Sequence, residues 1–198
     1  MRTTLFRTVF LAAAAAIALA PGNAAAQSGF FIGVGGGVSN VRDTGAELST
    51  IRPSLHLRAG YAIRPAVALM VEFTQTGIGA QPRDSVVIDG TVVRADHQLS
   101  TSVLLLSAQL GDPRSVYVRP GIGFGRHAFT AFMPTPGGGY VSETSHEAGI
   151  AAGLAVGHEF ALSGFPISTE ATALWTSGED SSSPRVSLGV QLVHDIRF

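Results

Sequence analysis

The sequence contains no cysteine and no lysine. Without thiols there is no disulfide framework and no thiolate chemistry. All 13 basic residues are arginine, a choice for which the sequence offers no physical reason. Charge is scarce, at 14% of residues, and no basic patch marks a nucleic-acid partner. Long apolar runs are also missing. Beyond residue 26 no segment has 18 consecutive apolar residues, although the mean hydropathy is +0.30. A membrane-spanning helix is thereby excluded. What remains is apolar character dispersed by alternation, as a membrane-spanning β-structure carries it.

Residues 1–26 read as a cleaved signal peptide. Arg2 and Arg7 form a positive start, Val9 to Ala20 a short apolar core, Pro21-Gly22 a break, and Ala24-Ala25-Ala26 a small-residue cleavage site. The uninterrupted apolar run of 12 residues is too short to span a bilayer. The predicted domain is therefore 27–198. Without Arg2 and Arg7, eleven arginines face 14 acidic residues, a net charge of −3.

The last fourteen residues set the pattern. Val186, Leu188, Val190, Leu192, Ile196 and Phe198 recur at every second position, with Ser187, Gly189, Gln191, Asp195 and Arg197 between them. A period of two with one apolar and one polar face is a strand between unlike environments. Similar alternation predicts strands over 29–39, 54–64, 66–76, 98–110, 115–129, 147–160 and 166–176. Glycine-rich stretches such as Gly33 to Gly37 oppose helix and leave room for large neighbours across the backbone. Pro120 removes a ladder donor within its strand, a cost there or the mark of a bulge.

Eight strands result, and the connections between them alternate in length. Long ones cover 40–53, 77–97, 130–146 and 177–184; short ones fall at Pro65, 111–114 and 161–165. Within 77–97, Val86 to Ile88 and Thr91 to Val93 flank Asp89-Gly90 as a small hairpin. Alternating connections with an even strand number predict an all-β, eight-stranded antiparallel up-and-down transmembrane β-barrel. Its short turns and both termini would be periplasmic. Closure would pair 186–198 with 29–39. Phe30, Tyr61, Phe160 and Phe198 would form one aromatic girdle, and Phe73, Phe124 and Trp175 the other.

The chain resembles the small eight-stranded outer-membrane barrels of the OmpA/OmpX-like superfamily. The resemblance rests on Gly29 to Gly37, on Leu69-Met70-Val71-Glu72-Phe73, and on Tyr117 to Gly125. It covers the whole predicted domain, although each motif is loose. It implies outer-membrane localisation, contact with outer-membrane lipid and lipopolysaccharide, and passage through the barrel-assembly machinery. The terminal Phe198 resembles the aromatic that this family uses as its assembly signal. No carboxy-terminal peptidoglycan-binding domain is present, so that role does not transfer.

The polar phase of the strands carries Arg58, Arg64, Glu72, Arg119, Glu159, Glu170, Asp195 and Arg197. An eight-stranded barrel has an interior just filled by side chains, and charges buried there must pair. Two roles follow: a salt-bridged plug, or a gate on a narrow ion path through Arg58, Glu72, Arg119 and Glu170. Ser145-His146-Glu147 is the one local cluster with the residue types of a lipid hydrolase. Adjacent strand residues point to opposite faces, which argues against a triad. Asp84, Asp89, Asp96 and His97 share a loop but lack calcium-loop spacing. The sequence thus predicts a non-enzymatic barrel with a structural or surface-interaction role. It would be monomeric, need no cofactor or metal, and meet any extracellular ligand through its loops. A small porin-like diffusion channel is the alternative, and a lipid-modifying enzyme a remote one.

Overall fold

The computed structural model describes residues 29–43, 49–77, 83–88, 91–134, 140–162, 165–177 and 185–198. Nearly all of them are strand: β1 (Gly29–Asp43), β2 (Ser49–Arg64), β3 (Val67–Thr76), β4 (Arg83–Ile88), β5 (Thr91–Leu110), β6 (Tyr117–Pro134), β7 (Tyr140–Leu162), β8 (Phe165–Thr176) and β9 (Arg185–Arg197). Every pairing is antiparallel, and spatial order follows chain order around the sheet. A β3–β5 pairing closes the ring, and β4 stands outside it, paired with β5 alone. The fold is therefore the expected closed eight-stranded barrel, with β4 as an added arm. The predicted signal peptide lies outside the described residues.

The closing strand pairs where alternation placed it. β9 joins β1 from Phe31↔Arg197 to Asp43↔Arg185. Beyond the last pair, the Phe198 N–H donates to the Phe30 carbonyl at 2.8 Å. Both edges at this seam are consumed, which removes them as templates for edge-to-edge aggregation.

One end of the barrel carries the short connections. Pro65-Ala66 turns β2 into β3, and residues 111–116 turn β5 into β6. Gly111 adopts φ +109, where a Cβ would be strained, and its N–H donates to the Ala66 carbonyl at 2.9 Å. The Asp112 carboxylate accepts from the Arg114 N–H at 3.0 Å and fixes the same turn.

The other end differs from the loops expected there. β1 and β2 stay paired as far as Arg42↔Ser49, so most of 40–53 is strand. β6 and β7 stay paired to Pro134↔Tyr140, so 130–146 is a long hairpin. A hairpin projecting past the apolar band has no lipid side to mark, so its sequence lacks the contrast that revealed the other strands. Within 77–97 the expected hairpin is present: Ile88↔Thr91 brackets residues 89–90, and its second arm runs straight into the barrel as β5. Pro120 interrupts the β5–β6 ladder without a bulge. Pairs stop at Ser107↔Gly121 and resume at Leu110↔Val118 in the same register, because proline has no N–H to give.

The two faces separate as the alternation requires. Leu69, Val71, Leu104, Leu106, Ile122, Phe124, Ile150, Leu154, Leu188 and Val190 point out and are exposed. This is the apolar belt of a barrel whose solvent on that side is lipid. In 98–110, Leu104, Leu106 and Leu110 face outward and Val103 and Leu105 inward. Phe30, Tyr61, Phe160 and Phe198 are exposed at the short-turn end, with the Phe30 and Phe198 rings 6.1 Å apart. Of the other predicted girdle, Phe73 and Phe124 flank Leu104 in one registered row, Phe73 half-buried and Phe124 exposed, and Trp175 is exposed on β8.

Candidate functional site

Glu170 on β8 points into the lumen and is 0% exposed. Five donors converge on its carboxylate. Oε1 accepts from Arg58 Nη1 at 2.5 Å, from the Tyr117 hydroxyl at 2.5 Å and from Arg119 Nη1 at 2.7 Å. Oε2 accepts from Arg119 Nη2 at 2.5 Å and from Gln191 Nε2 at 2.8 Å. Arg58 turns its other edge to Asp195, with Nε at 2.7 Å from Oδ1 and Nη2 at 2.5 Å from Oδ2. Arg119 Nε lies 2.9 Å from Glu72 Oε2, an ion pair that misses hydrogen-bond alignment. His56 stands behind it, with Nε2 3.4 Å from the same oxygen and Nδ1 2.9 Å from Thr74 Oγ1. Two arginines and three carboxylates thus share one buried network, and both arginines bind a carboxylate in bidentate fashion.

Pairing between strands explains these meetings. Across the β2–β1–β9 row the order is Arg58, Gly33, Asp195. Across β6–β7–β8 it is Tyr117, Gly157, Glu170. In each row a glycine separates the partners, which are two strand spacings apart, or about 9.5 Å. The long side chain reaches its partner by lying over the bare glycine. A Cβ built on Gly33 would sit 2.2 Å from Asp195 Oδ1, and one on Gly157 2.4 Å from the Tyr117 ring. The inward glycines are therefore covered by neighbouring side chains and do not hydrate the lumen.

Apolar and polar layers lie above and below. Toward the short turns, Phe31, Ala68 and Met70 pack in the lumen with Ala62 against them. Arg197 donates from Nη2 to Glu159 Oε2 at 2.7 Å near the mouth. On the opposite side of the network, Val103, Leu105, Ala151 and Leu174 form a second apolar cluster inside the barrel. Beyond it His127 exchanges hydrogen bonds with Thr101 Oγ1 at 2.9 Å and Thr176 Oγ1 at 2.5 Å. The lumen is filled by stacked layers, as a barrel of this strand number allows.

The structure brings together all four lumen charges named from sequence: Arg58, Glu72, Arg119 and Glu170. Sequence reasoning placed Asp195 on the lumen side but not in this network, and it missed Tyr117, Gln191 and His56 as partners. All of them lie on the inward phase, so their facing was legible; their common height required the register. Phe198 lies apart, exposed at the seam. Ser145-His146-Glu147 is not assembled as a triad. His146 is exposed, and Glu147 is 3.4 Å from Arg185 Nη2. The side chains of Asp84, Asp89, Asp96 and His97 lie outside the described residues. Among the described residues no group of three His, Cys, Asp or Glu side chains could hold a metal.

An apolar outer belt, a closed antiparallel ring and a lumen of paired charges define an integral outer-membrane β-barrel. A family model for the outer membrane protein beta-barrel domain matches residues 9–191, and the chain belongs to that family. Among solved structures it is similar to Ail, the attachment invasion locus protein of Yersinia pestis, at 15% identity and a TM-score of 0.60, covering 86% of this chain and 100% of that one. It is also similar to a major outer membrane protein from Thermus thermophilus, at 11% identity and a TM-score of 0.53, covering 85% and 99%. OprG from Pseudomonas aeruginosa matches at 13% identity and a TM-score of 0.50, covering 87% and 98%. At these identities the likeness is one of fold. No curated protein sequence matches the chain.

Proposed function

We propose that this protein is a closed, non-enzymatic outer-membrane barrel with a structural and surface-interaction role. The observation that carries this reading is the filled lumen, in which the Glu170 network lies between two apolar clusters. A plugged barrel can work through its rim and its outer face. In this reading the short turns and both chain ends are periplasmic, and the long hairpins with the β4 arm face outward, following the usual asymmetry of bacterial barrels. The hairpins would meet an extracellular ligand, and the belt would meet outer-membrane lipid and lipopolysaccharide. A ring with no open edge favours a monomer. Ail, which shares the fold, has been solved in complex with the heparin analogue sucrose octasulfate, a case of a small barrel that takes a ligand.

Conductance across planar bilayers tests this function. The refolded wild-type barrel should give no unitary currents. Reproducible currents would favour the diffusion channel, with Arg58, Glu72, Arg119 and Glu170 as its gate. Lipid hydrolysis by the purified barrel, abolished by His146→Ala, would instead favour the enzyme.

Phe198 fits an assembly signal read by the barrel-assembly machinery. Its ring is exposed at the seam and its packing is slight. Deleting Phe198 should reduce insertion in cells while leaving the urea midpoint of the barrel refolded in vitro nearly unchanged. Normal insertion of the truncated chain would refute that role.

A further inference from the structure

Along the eight barrel strands, the outward side chains among the described residues are almost free of formal charge. Among the outward side chains whose placement is described, Arg126 on β6 is the exception: it points out and is exposed. It lies two positions beyond Phe124, about 6–7 Å further along the strand from the belt. An arginine facing lipid costs about 2–4 kcal/mol at the bilayer midplane and about 0–1 near the interface. Arg126 is therefore placed where its guanidinium reaches the headgroup level while its stem stays on the belt.

Its surroundings suit an anion. Arg126 pairs with Ser102 on β5 and Ala148 on β7, both too small to cover it. His146 lies outward on β7, diagonal to it across the Ala128↔His146 pair. Further along, the Thr130 and Thr144 hydroxyls are 3.0 Å apart. Glu147, the carboxylate beside this row on β7, takes the opposite phase. Below Arg126, Ile122, Phe124 and Ile150 are among the most exposed side chains of the belt, at 70%, 71% and 63%. An apolar wall topped by an arginine, an imidazole and hydroxyls matches a lipid with acyl chains and a phosphate.

We propose that Arg126, with His146 and Ser102 beside it, binds the phosphate of a phosphorylated outer-leaflet lipid. The fork of a guanidinium suits a phosphate in bidentate fashion. The leaflet assignment rests on the orientation proposed above; the chemistry of the site does not.

Native mass spectrometry of the refolded protein in mixed micelles tests it, with bisphosphorylated lipid A as the probe. Each variant is first required to show the gel-mobility shift of a folded barrel. Wild type should retain lipid A, and Arg126→Gln should bind it about tenfold more weakly. Arg64→Gln, near the short-turn end, should match wild type. Dephosphorylated lipid A should bind wild type no better than lipid A binds Arg126→Gln, and inorganic phosphate at the same concentration should displace nothing. Equal retention by Arg126→Gln, or equal retention of the dephosphorylated lipid, would overturn the proposal. Displacement by inorganic phosphate would overturn it in favour of a free-anion site. Orientation is read separately, by labelling a tag inserted between β6 and β7 on intact cells. A tag reached only from the periplasm would overturn the orientation and leave the micelle result standing.

Discussion

Replacing Glu170 by alanine should lower the unfolding free energy of the refolded barrel by about 3–5 kcal/mol. The substitution removes one carboxylate and strands five donors. Arg58 keeps Asp195, but Arg119 is left with only the misaligned Glu72 contact, deep in the lumen. A buried cation without its partner pays the desolvation penalty that the pair had offset. Glu170→Gln should fall close to alanine, because its amide turns donors toward donors. Glu147→Ala is the control. Its 3.4 Å contact to Arg185 is partly exposed, so the loss should be under about 1 kcal/mol. Urea titration in lipid vesicles, followed by the fluorescence of the single Trp175, reads all three. A Glu170→Ala loss no larger than that of Glu147→Ala would contradict the network.

Ile122→Arg should cost about 2–4 kcal/mol in the same assay. Ile122 is 70% exposed and pairs with Leu106 on one side and Ala152 on the other. On a water-soluble protein an exposed isoleucine could be replaced by arginine for little or nothing. In a bilayer the same change places a guanidinium in hydrocarbon. Arg126, two turns of the pleat further along the same face, shows where this strand tolerates a cation. Ile122→Ser separates lost apolar area from introduced charge and should cost less than Ile122→Arg. Unchanged stability of the arginine variant would mean that this face does not meet lipid.

The barrel was legible because lipid and lumen impose opposite chemistry on successive residues. That contrast marks Leu69 to Phe73 and most of Val186 to Phe198, where Val193 on the polar phase and His194 on the apolar one break it. It fades where a hairpin leaves the belt, which is why 130–134 and 140–146 read as loop and proved to be paired strand. The lumen charges were legible by phase alone. Their partners were not, because Arg58 meets Asp195 and Tyr117 meets Glu170 only across an intervening glycine strand. Such a meeting depends on the register of three strands, and no local spacing encodes it. Arg126 was legible as a residue but not as an exception. It becomes one only once the facing of the neighbouring outward side chains is known.

The central claim is that the lumen is closed at the level of the Glu170 network. The chain has no native cysteine, so a single introduced thiol reports on one site. Ala155→Cys puts it on the inward face of β7, opposite Arg119 and Thr172, where Ala155 is 5% exposed. A charged, water-soluble thiol reagent should leave this cysteine unmodified in the folded barrel and modify it fully after unfolding. Ser115→Cys in the exposed short turn should react at once in both states. Rapid modification of the folded Ala155→Cys barrel, at a rate near that of the turn control, would show an open lumen and contradict the account.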